Sequence, residues 1–130
     1  MEKTVVIIDD SKFQTMQLSR FFSETMGFKV AATGEDGEEA VELYRNHKPD
    51  LLTMDLTMPR LDGRGALTRI LQEFPEANVL VISAVKGPLL VDCLTLGAKS
   101  YMEKPLRFDK EEFIRDFRAT VDEILEAPGP

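Results

Sequence analysis

The sequence has very few of the residues that form disulfides and histidine- or thiolate-based metal sites. Its 130 residues include one cysteine, one histidine and no tryptophan. Cys93 alone forms no intramolecular disulfide, which favours a reducing, cytoplasmic setting, and its apolar neighbours favour a packing role over that of a nucleophile. The single histidine, His47, excludes a metal site built from several histidines. We expect His47 to cap helix carbonyls or to face water.

Positive charge and long apolar runs are also scarce. Lys and Arg number 16 against 23 Asp and Glu, for a net charge of −7. Without a basic patch, binding to the phosphate backbone of nucleic acids is not expected. No run of about 20 apolar residues and no signal peptide is present, so we expect no membrane span. The length predicts one domain, residues 1–126, followed by a short Pro/Gly tail, residues 127–130.

Strand-like and helical patterns alternate along the chain. This alternation predicts a three-layer α/β sandwich with a five-stranded parallel sheet of flavodoxin-like order 2-1-3-4-5. Ser11 and Asp36 are expected to begin helices, and Gly27 and Gly97 to end them. The predicted strands cover residues 4–9, 28–33, 51–54, 79–82 and 101–103.

Polar side chains follow four of these strands. Asp9 and Asp10 follow the first strand, Asp55 the third, Ser83 the fourth and Lys104 the fifth. Two unit charges about 4 Å apart repel by about 4 kcal/mol at an effective dielectric constant of about 20, so three carboxylates favour a bound cation or a proton. Hard oxygen ligands suit Mg²⁺, and the hydroxyl and ammonium suit a phosphoryl group. Each residue alone has an ordinary structural role, as a cap, a turn former or a solvated charge, but their convergence predicts a site.

These residues occur within longer motifs. The motifs are Asp9-Asp10, 54–59 with Asp62-Gly63, Ser83-Ala84 and 101–105. With them the sequence resembles the receiver domain of bacterial response regulators over nearly the whole chain. It is most similar to the stand-alone, CheY-like receivers of chemotaxis.

The resemblance implies a phosphorylation-controlled switch of a two-component system. Asp55 would accept a phosphoryl group from a histidine kinase or phosphotransfer protein. Mg²⁺ would be held by the side chains of Asp10 and Asp55 and the backbone carbonyl of Thr57, with Asp9 acting through a water. Thr57 also occupies a position that the resemblance links to the rate of dephosphorylation. The protein would be a phosphoacceptor rather than an enzyme, apart from catalysing its own phosphorylation and dephosphorylation.

Three further residues receive roles from the resemblance. Lys104 would pair with the phosphoryl oxygens and precede Pro105 through a cis peptide bond. Ser83 would move to hydrogen-bond the phosphoryl group, and Tyr101 would then swing inward. From the residues alone, packing is the simpler interpretation of Tyr101.

The fourth helix is apolar nearly all round. Between Pro88 and Gly97, only Asp92 and Thr95 are clearly polar. One interpretation is a surface for a downstream protein or a second copy of the chain, formed by 88–97, 100–104 and 110–125. The other, weighed equally, is tighter packing against a neighbouring helix. Charging Leu90 or Leu94 is the corresponding test.

Two other functions are weighed against the switch. A Mg²⁺-dependent aspartyl-phosphate phosphatase of the haloacid dehalogenase kind places its two aspartates two residues apart, whereas Asp9 and Asp10 are adjacent. A scaffold receiver that is never phosphorylated would not need all five strand-end residues. Whether the chain is a whole protein or part of a longer regulator stays open.

Overall fold

The computed structural model describes residues 2–58, 60–85 and 87–126. The predicted tail, 127–130, therefore lies outside the described residues. The strands are β1 (Thr4–Ile8), β2 (Lys29–Gly34), β3 (Leu51–Met54), β4 (Val79–Ser83) and β5 (Ser100–Glu103). The helices are α1 (Lys12–Arg20), which continues into a π-helical turn (Phe21–Thr25), α2 (Gly37–His47), α3 (Gly63–Glu73), α4 (Pro88–Leu96) and α5 (Glu111–Glu126).

The sheet has the predicted order, β2-β1-β3-β4-β5. All of its strand pairs are parallel, as short Val/Ile/Leu runs separated by helices require. In the β1–β3 pair, Ile8 lies opposite Met54. The two strands therefore end level with each other, and the residues after them emerge side by side.

Each face of the sheet has its own hydrophobic core. Alternate residues of β1 go to opposite sides, so that Val6 and Ile8 pack under α2, α3 and α4 and Val5 and Ile7 pack on the side of α1 and α5. The second core is rich in aromatic rings, with Phe21 stacked on Phe108 at 4.6 Å between ring centroids. Burial on both faces fixes the register of the sheet and, with it, the edge at which the strands end.

Side-chain caps fix the start of the first three helices. The side chains of Ser11, Asp36 and Asp62 accept hydrogen bonds from the backbone N–H groups three residues on, at 3.2, 2.9 and 2.9 Å. The first two caps confirm the prediction from sequence. Gly27 comes just after the π-helical turn that continues α1, and Gly97 ends α4, with positive φ angles of 72° and 119°, as expected of glycine stops.

The differences from the predicted elements are small. The first strand ends at Ile8, not Asp9, because Asp9 already turns toward Ser11. The second begins at Lys29, since the Phe28 N–H donates to the Phe22 carbonyl at 2.8 Å and not to the sheet. His47 is exposed in the last turn of α2. Among the described residues, no helix is both long and apolar enough to cross a membrane.

Candidate functional site

Three carboxylates meet at the carboxyl edge of the sheet. Asp9 and Asp10 follow β1, and Asp55 follows the neighbouring strand β3, its N–H bonded to the Ile8 carbonyl at 3.0 Å. Each offers a carboxylate oxygen, and the three oxygens lie within 4.8 Å of one another. The predicted juxtaposition is therefore observed, and it results from the β1–β3 pairing.

Lys104 brings an ammonium group to this cluster from the far edge of the sheet. Its Nζ donates to Asp9 Oδ2 at 2.8 Å and to Asp55 Oδ2 at 3.4 Å. Burial opposes the charge of Lys104, but the hydrogen bond to Asp9 and the charge of Asp55 outweigh it and raise the lysine pKa. Lys104 is therefore a fixed cation between two of the carboxylates. It precedes Pro105 through a cis peptide bond, as predicted.

Asp9 is the most constrained of the carboxylates. It is buried, and while Oδ2 accepts from Lys104, Oδ1 accepts from the Ser11 N–H at 2.9 Å. Burial raises its pKa in spite of these hydrogen bonds. Asp10 is exposed. Both oxygens of Asp9 thus have protein partners, whereas the carboxylate of Asp10 faces solvent.

Asp55 is buried at the centre of the edge. Its Oδ1 accepts from the Leu56 N–H at 2.8 Å, and Oδ2 faces Lys104. The backbone of α3 approaches closely here, because a Cβ on Gly63 would lie 2.4 Å from the Asp55 carbonyl oxygen. Gly63 is therefore needed for the position of the chain around Asp55.

Ser83 is the last residue of β4, and Tyr101 lies on the neighbouring strand β5, opposite Val81. Ser83 is buried, and its hydroxyl accepts from the Val85 N–H at 3.2 Å. Its carbonyl accepts from the Lys104 N–H at 2.9 Å, which fixes β5 beside β4. Tyr101 is 37% exposed. In this state the Ser83 hydroxyl holds the chain that leads to α4, and the Tyr101 ring is at the surface.

The donor set suits a hard divalent cation. All three side chains offer carboxylate oxygens, the ligands that Mg²⁺ prefers in proteins. Two of the three carboxylates contact Lys104, and Asp10 adds a further negative charge at the exposed rim. The residues present therefore fit a magnesium ion.

Two features of the site's surroundings were missed in the sequence. Asp36 was predicted only as a helix cap, but its buried carboxylate also pairs with Arg60, 24 residues later, in the loop after Asp55. No local pattern signals a pair at that separation. Phe13 and Met16 are 60% and 52% exposed on α1, the helix that follows Asp9 and Asp10. They lie outside the apolar stripe of α1. Two large apolar residues at positions where the helical pattern expects polar ones could have indicated this exposure from the sequence.

The predicted exposure of α4 is present on one side of that helix. Val91, Leu94 and Leu96 are 57%, 39% and 38% exposed, while Leu90 and Cys93 are buried. The buried Cys93 thiol has a raised pKa because of desolvation, which agrees with a packing role. Leu90 was wrong as a surface position to charge, since it packs against the sheet; Leu94 is suitable.

Comparison with known proteins agrees with the fold and the cluster. The family model of the response regulator receiver domain matches residues 5–116. The chemotaxis protein CheY of Bacillus subtilis is 38% identical over 111 residues, 85% of this chain and 92% of that protein. A chain of the crystal structure of the CheX-CheY-BeF3-Mg²⁺ complex from Borrelia burgdorferi superposes with a TM-score of 0.85 and 38% identity over 94% of this chain and 88% of that one.

A longer relative matches through part of its length. A protein-glutamate methylesterase/protein-glutamine glutaminase of Nitratidesulfovibrio vulgaris is 34% identical over 98% of this chain and 37% of that protein. The likeness therefore concerns one region of that enzyme.

The fold and the strand-end residues define a doubly wound α/β domain with an acidic cluster at its switch point, and the chain belongs to the response regulator receiver domain family. It is a homologue of CheY, and thus a phosphorylation-controlled switch of two-component signalling.

Proposed function

We propose that Asp55 is the phosphoacceptor and that the phosphoryl group comes from a phosphohistidine on a histidine kinase or phosphotransfer protein. The observation that carries this proposal is the contact of one ammonium, Lys104 Nζ, with both Asp9 and Asp55 at the end of the sheet. Asp55 is the carboxylate at the centre of that arrangement. In this role the chain is a phosphoacceptor and not an enzyme acting on other substrates.

The transfer is a substitution at phosphorus. An Asp55 carboxylate oxygen forms a bond to phosphorus as the P–N bond of the phosphohistidine breaks, and the electron pair of that bond stays on the histidine nitrogen. Lys104 then exchanges its contact with the Asp55 oxygen for one with a phosphoryl oxygen. Because burial restricts water around Asp55, the ammonium stabilises the developing charge more strongly there than it would in bulk water.

The site would hold Mg²⁺ through Asp10, Asp55 and the backbone carbonyl of Thr57, with Asp9 acting through a water. When bound, the ion neutralises charge on the phosphoryl oxygens. Asp9 differs from Asp10 in that both of its oxygens already have protein partners. Because its carboxylate is exposed to solvent, Asp10 is accessible to a cation, which supports a direct role for that residue.

Phosphorylation would act on the chain through Ser83 and Tyr101. In the unphosphorylated protein the Ser83 hydroxyl accepts from the Val85 N–H. When the hydroxyl turns to donate to a phosphoryl oxygen, the bond from Val85 is lost and the segment before α4 shifts. Phosphorylation adds a charge of about −1.5 to −2 at Asp55. This charge interacts more favourably with the state in which Ser83 donates to the phosphoryl group, and that difference drives the shift. Tyr101 moves from its exposed position into the space so opened.

The output surface we propose is formed by 88–97, 100–104 and 110–125. Its support is the exposure of Val91, Leu94, Leu96 and Tyr101, large apolar side chains on two adjacent elements. A downstream protein or a second copy of the chain would bind there.

The test of the proposed function is phosphorylation by a small donor. The protein is incubated with Mg²⁺ and phosphoramidate, and its intact mass is measured. We expect the mass of one phosphoryl group to be gained by the wild type and none by Asp55→Asn. A matched control is Asp50→Asn, at the opposite end of β3, which should gain the group normally.

Failure of the wild type to gain a phosphoryl group, or equal gain by Asp55→Asn, contradicts the assignment of Asp55. Repeated turnover of phosphate esters would instead favour the phosphatase alternative. Measuring both with the same preparation separates the two functions.

A further inference from the structure

The described residues of the loop between β3 and α3, 55–58 and 60–62, include two adjacent points of attachment to the start of α2. Arg60 Nε donates to Asp36 Oδ2 at 2.8 Å, and the Gly37 N–H donates to the Leu61 carbonyl at 2.8 Å. The loop carries Thr57, three residues before Arg60. The loop is therefore joined to the sheet at Asp55 and held by α2 at Arg60 and Leu61, just before the Asp62 cap of α3.

The two carboxylate oxygens of Asp36 have separate partners. Oδ1 accepts from the Glu39 N–H at 2.9 Å and caps α2, while Oδ2 accepts from the Arg60 guanidinium. Asp36 is 1% exposed, and a carboxylate buried this far requires a charged or hydrogen-bonding partner. Capping uses one oxygen, so the other is available to fix the loop.

The backbone at Arg60 is in a conformation that needs support. Its φ angle is 62°, in the left-handed region, which costs a non-glycine residue roughly 1 kcal/mol or more. Such a conformation persists where the surroundings determine it. The guanidinium contact with Asp36 and the main-chain bond from Gly37 to the adjacent Leu61 both hold the chain here.

The close approach of α2 to the loop is built into the sequence. A Cβ on Gly37 would lie 2.1 Å from the Leu61 carbonyl oxygen, so the main-chain bond between them requires glycine at this position. The side-chain pair and the main-chain bond act on consecutive residues of the loop, and together they restrict its displacement from α2.

We propose that Asp36 and Arg60 are positioning residues, which hold the β3–α3 loop so that the Thr57 carbonyl is preset to bind Mg²⁺. The proposal rests on the proposed function, in which that carbonyl is a ligand. Neither residue touches the ion; both act through the loop, as groups that orient metal ligands do in other sites.

The test is a Mg²⁺ titration of the unphosphorylated protein by calorimetry. Removing such an orienting group typically weakens metal binding by 10–100-fold, and we expect Arg60→Ala to weaken it by roughly tenfold. Hydrogen exchange of the loop amides, measured without metal, should become faster in the same variant. Arg60→Lys keeps the charge but not the forked contact, and it should restore part of the affinity.

Two further variants separate position from charge. Arg60→Ala removes a positive charge, which by long-range electrostatics alone would strengthen Mg²⁺ binding. Asp36→Asn removes a negative charge and keeps a capping oxygen for α2. If the pair positions the loop, both variants weaken binding; if it acts by charge alone, they have opposite effects.

The matched control is Arg45→Ala. Arg45 also pairs with a carboxylate through two nitrogens, at 2.8 Å to each oxygen of Glu73, but it joins α2 to α3 away from the loop. We expect unchanged Mg²⁺ affinity and loop exchange. The proposal is overturned if Arg60→Ala leaves both quantities unchanged, or if Arg45→Ala weakens binding equally.

Failure of this inference is distinguishable from failure of the proposed function. If Asp55 is not phosphorylated in the wild type, the proposed function fails whatever the loop variants do. If the wild type is phosphorylated and binds Mg²⁺, but Arg60→Ala binds it equally well, only the positioning role fails.

Discussion

Helices α1, α2 and α3 differ from α4 in how each begins. The first three start at Ser11, Asp36 and Asp62, whose side chains cap them. Helix α4 starts after Gly87, and within the described ranges no side chain caps it. The capped helix α1 follows Asp9 and Asp10, with the Ser11 N–H bonded to Asp9, while the uncapped helix carries exposed apolar side chains. The helices α1, α2 and α3 are therefore fixed at their starts by side-chain caps, whereas α4, which contributes to the proposed output surface, is not.

The backbone at Gly87 explains why α4 differs. Its φ and ψ angles are 80° and −141°, close to a region that essentially only glycine occupies. The residues that cap helices well, Ser, Thr, Asp and Asn, begin them with negative φ and extended backbone, as Ser11, Asp36 and Asp62 do. The missing cap is therefore a consequence of the path of the chain from Ser83 into α4. Because Ser83 is also the proposed contact of the phosphoryl group, a helix with a weakly fixed start is the element most readily displaced.

The largest expected effect separates the two faces of α4. Leu90→Ala should lower the free energy of unfolding by about 2–5 kcal/mol, since Leu90 is buried against the sheet and its truncation leaves a cavity. Leu94→Ala, at 39% exposure, should cost well under half of that. Urea denaturation of the metal-free protein measures both. Similar losses in the two variants would mean that α4 has no distinct outer face.

Much of this comparison was accessible from the sequence. Parallel strand order and the meeting of Asp9, Asp10 and Asp55 follow from the alternation of short apolar runs with helices, because each residue's place on the sheet depends on local pattern. The exposure of α4 was one of two equal interpretations, since an apolar helix shows its composition but not which neighbours cover it. Leu90 and Leu94 have the same side chain, and their difference in burial depends on the direction in which α4 crosses the sheet.

The Asp36–Arg60 pair lay beyond sequence reasoning for a different reason. Nothing local relates a residue at the start of α2 to one in a loop 24 positions later. The pair requires α2 and the β3–α3 loop to lie side by side, which follows only once the whole sheet is assembled. Contacts of this kind, between two loops at the sheet edge, are what a structure adds to a correctly predicted topology.

An intermediate effect is expected at Gly87. Gly87→Ala should destabilise the protein by about 1 kcal/mol or somewhat more, because a Cβ meets no atom within 4 Å and the cost is conformational. Gly27→Ala is the matched control: Gly27 also has a positive φ, 72°, and open space, but it comes just after the π-helical turn that continues α1. Both should lose stability, measured by urea denaturation, and Gly87→Ala should lose more because its backbone lies close to a region that essentially only glycine occupies. Faster amide exchange in α4 should appear in Gly87→Ala alone. Faster exchange of α4 in both variants would contradict a specific role of Gly87 at the start of that helix.

The smallest expected effect concerns Asp36, which caps α2, and it is measured as the pH dependence of the free energy of unfolding. The hydrogen bond from the Glu39 N–H, and after it the Arg60 guanidinium, hold the pKa of Asp36 below its ordinary value of 3.8, against the opposing effect of burial. A carboxylate with a pKa lowered by folding contributes stability above its unfolded-state pKa, and this contribution is lost as pH falls through the folded-state pKa. The advantage of the wild type over Asp36→Asn in unfolding free energy should therefore be constant near neutral pH and shrink below about pH 4.

Subtracting the unfolding free energy of the variant removes the contributions of other groups. Among them is Asp9, whose raised pKa gives a pH dependence of the opposite sign. Since the Glu39 N–H is the larger cause, the same comparison made in an Arg60→Ala background should keep part of the dependence. Complete loss there would mean that the arginine, rather than the cap, sets the charge state of Asp36.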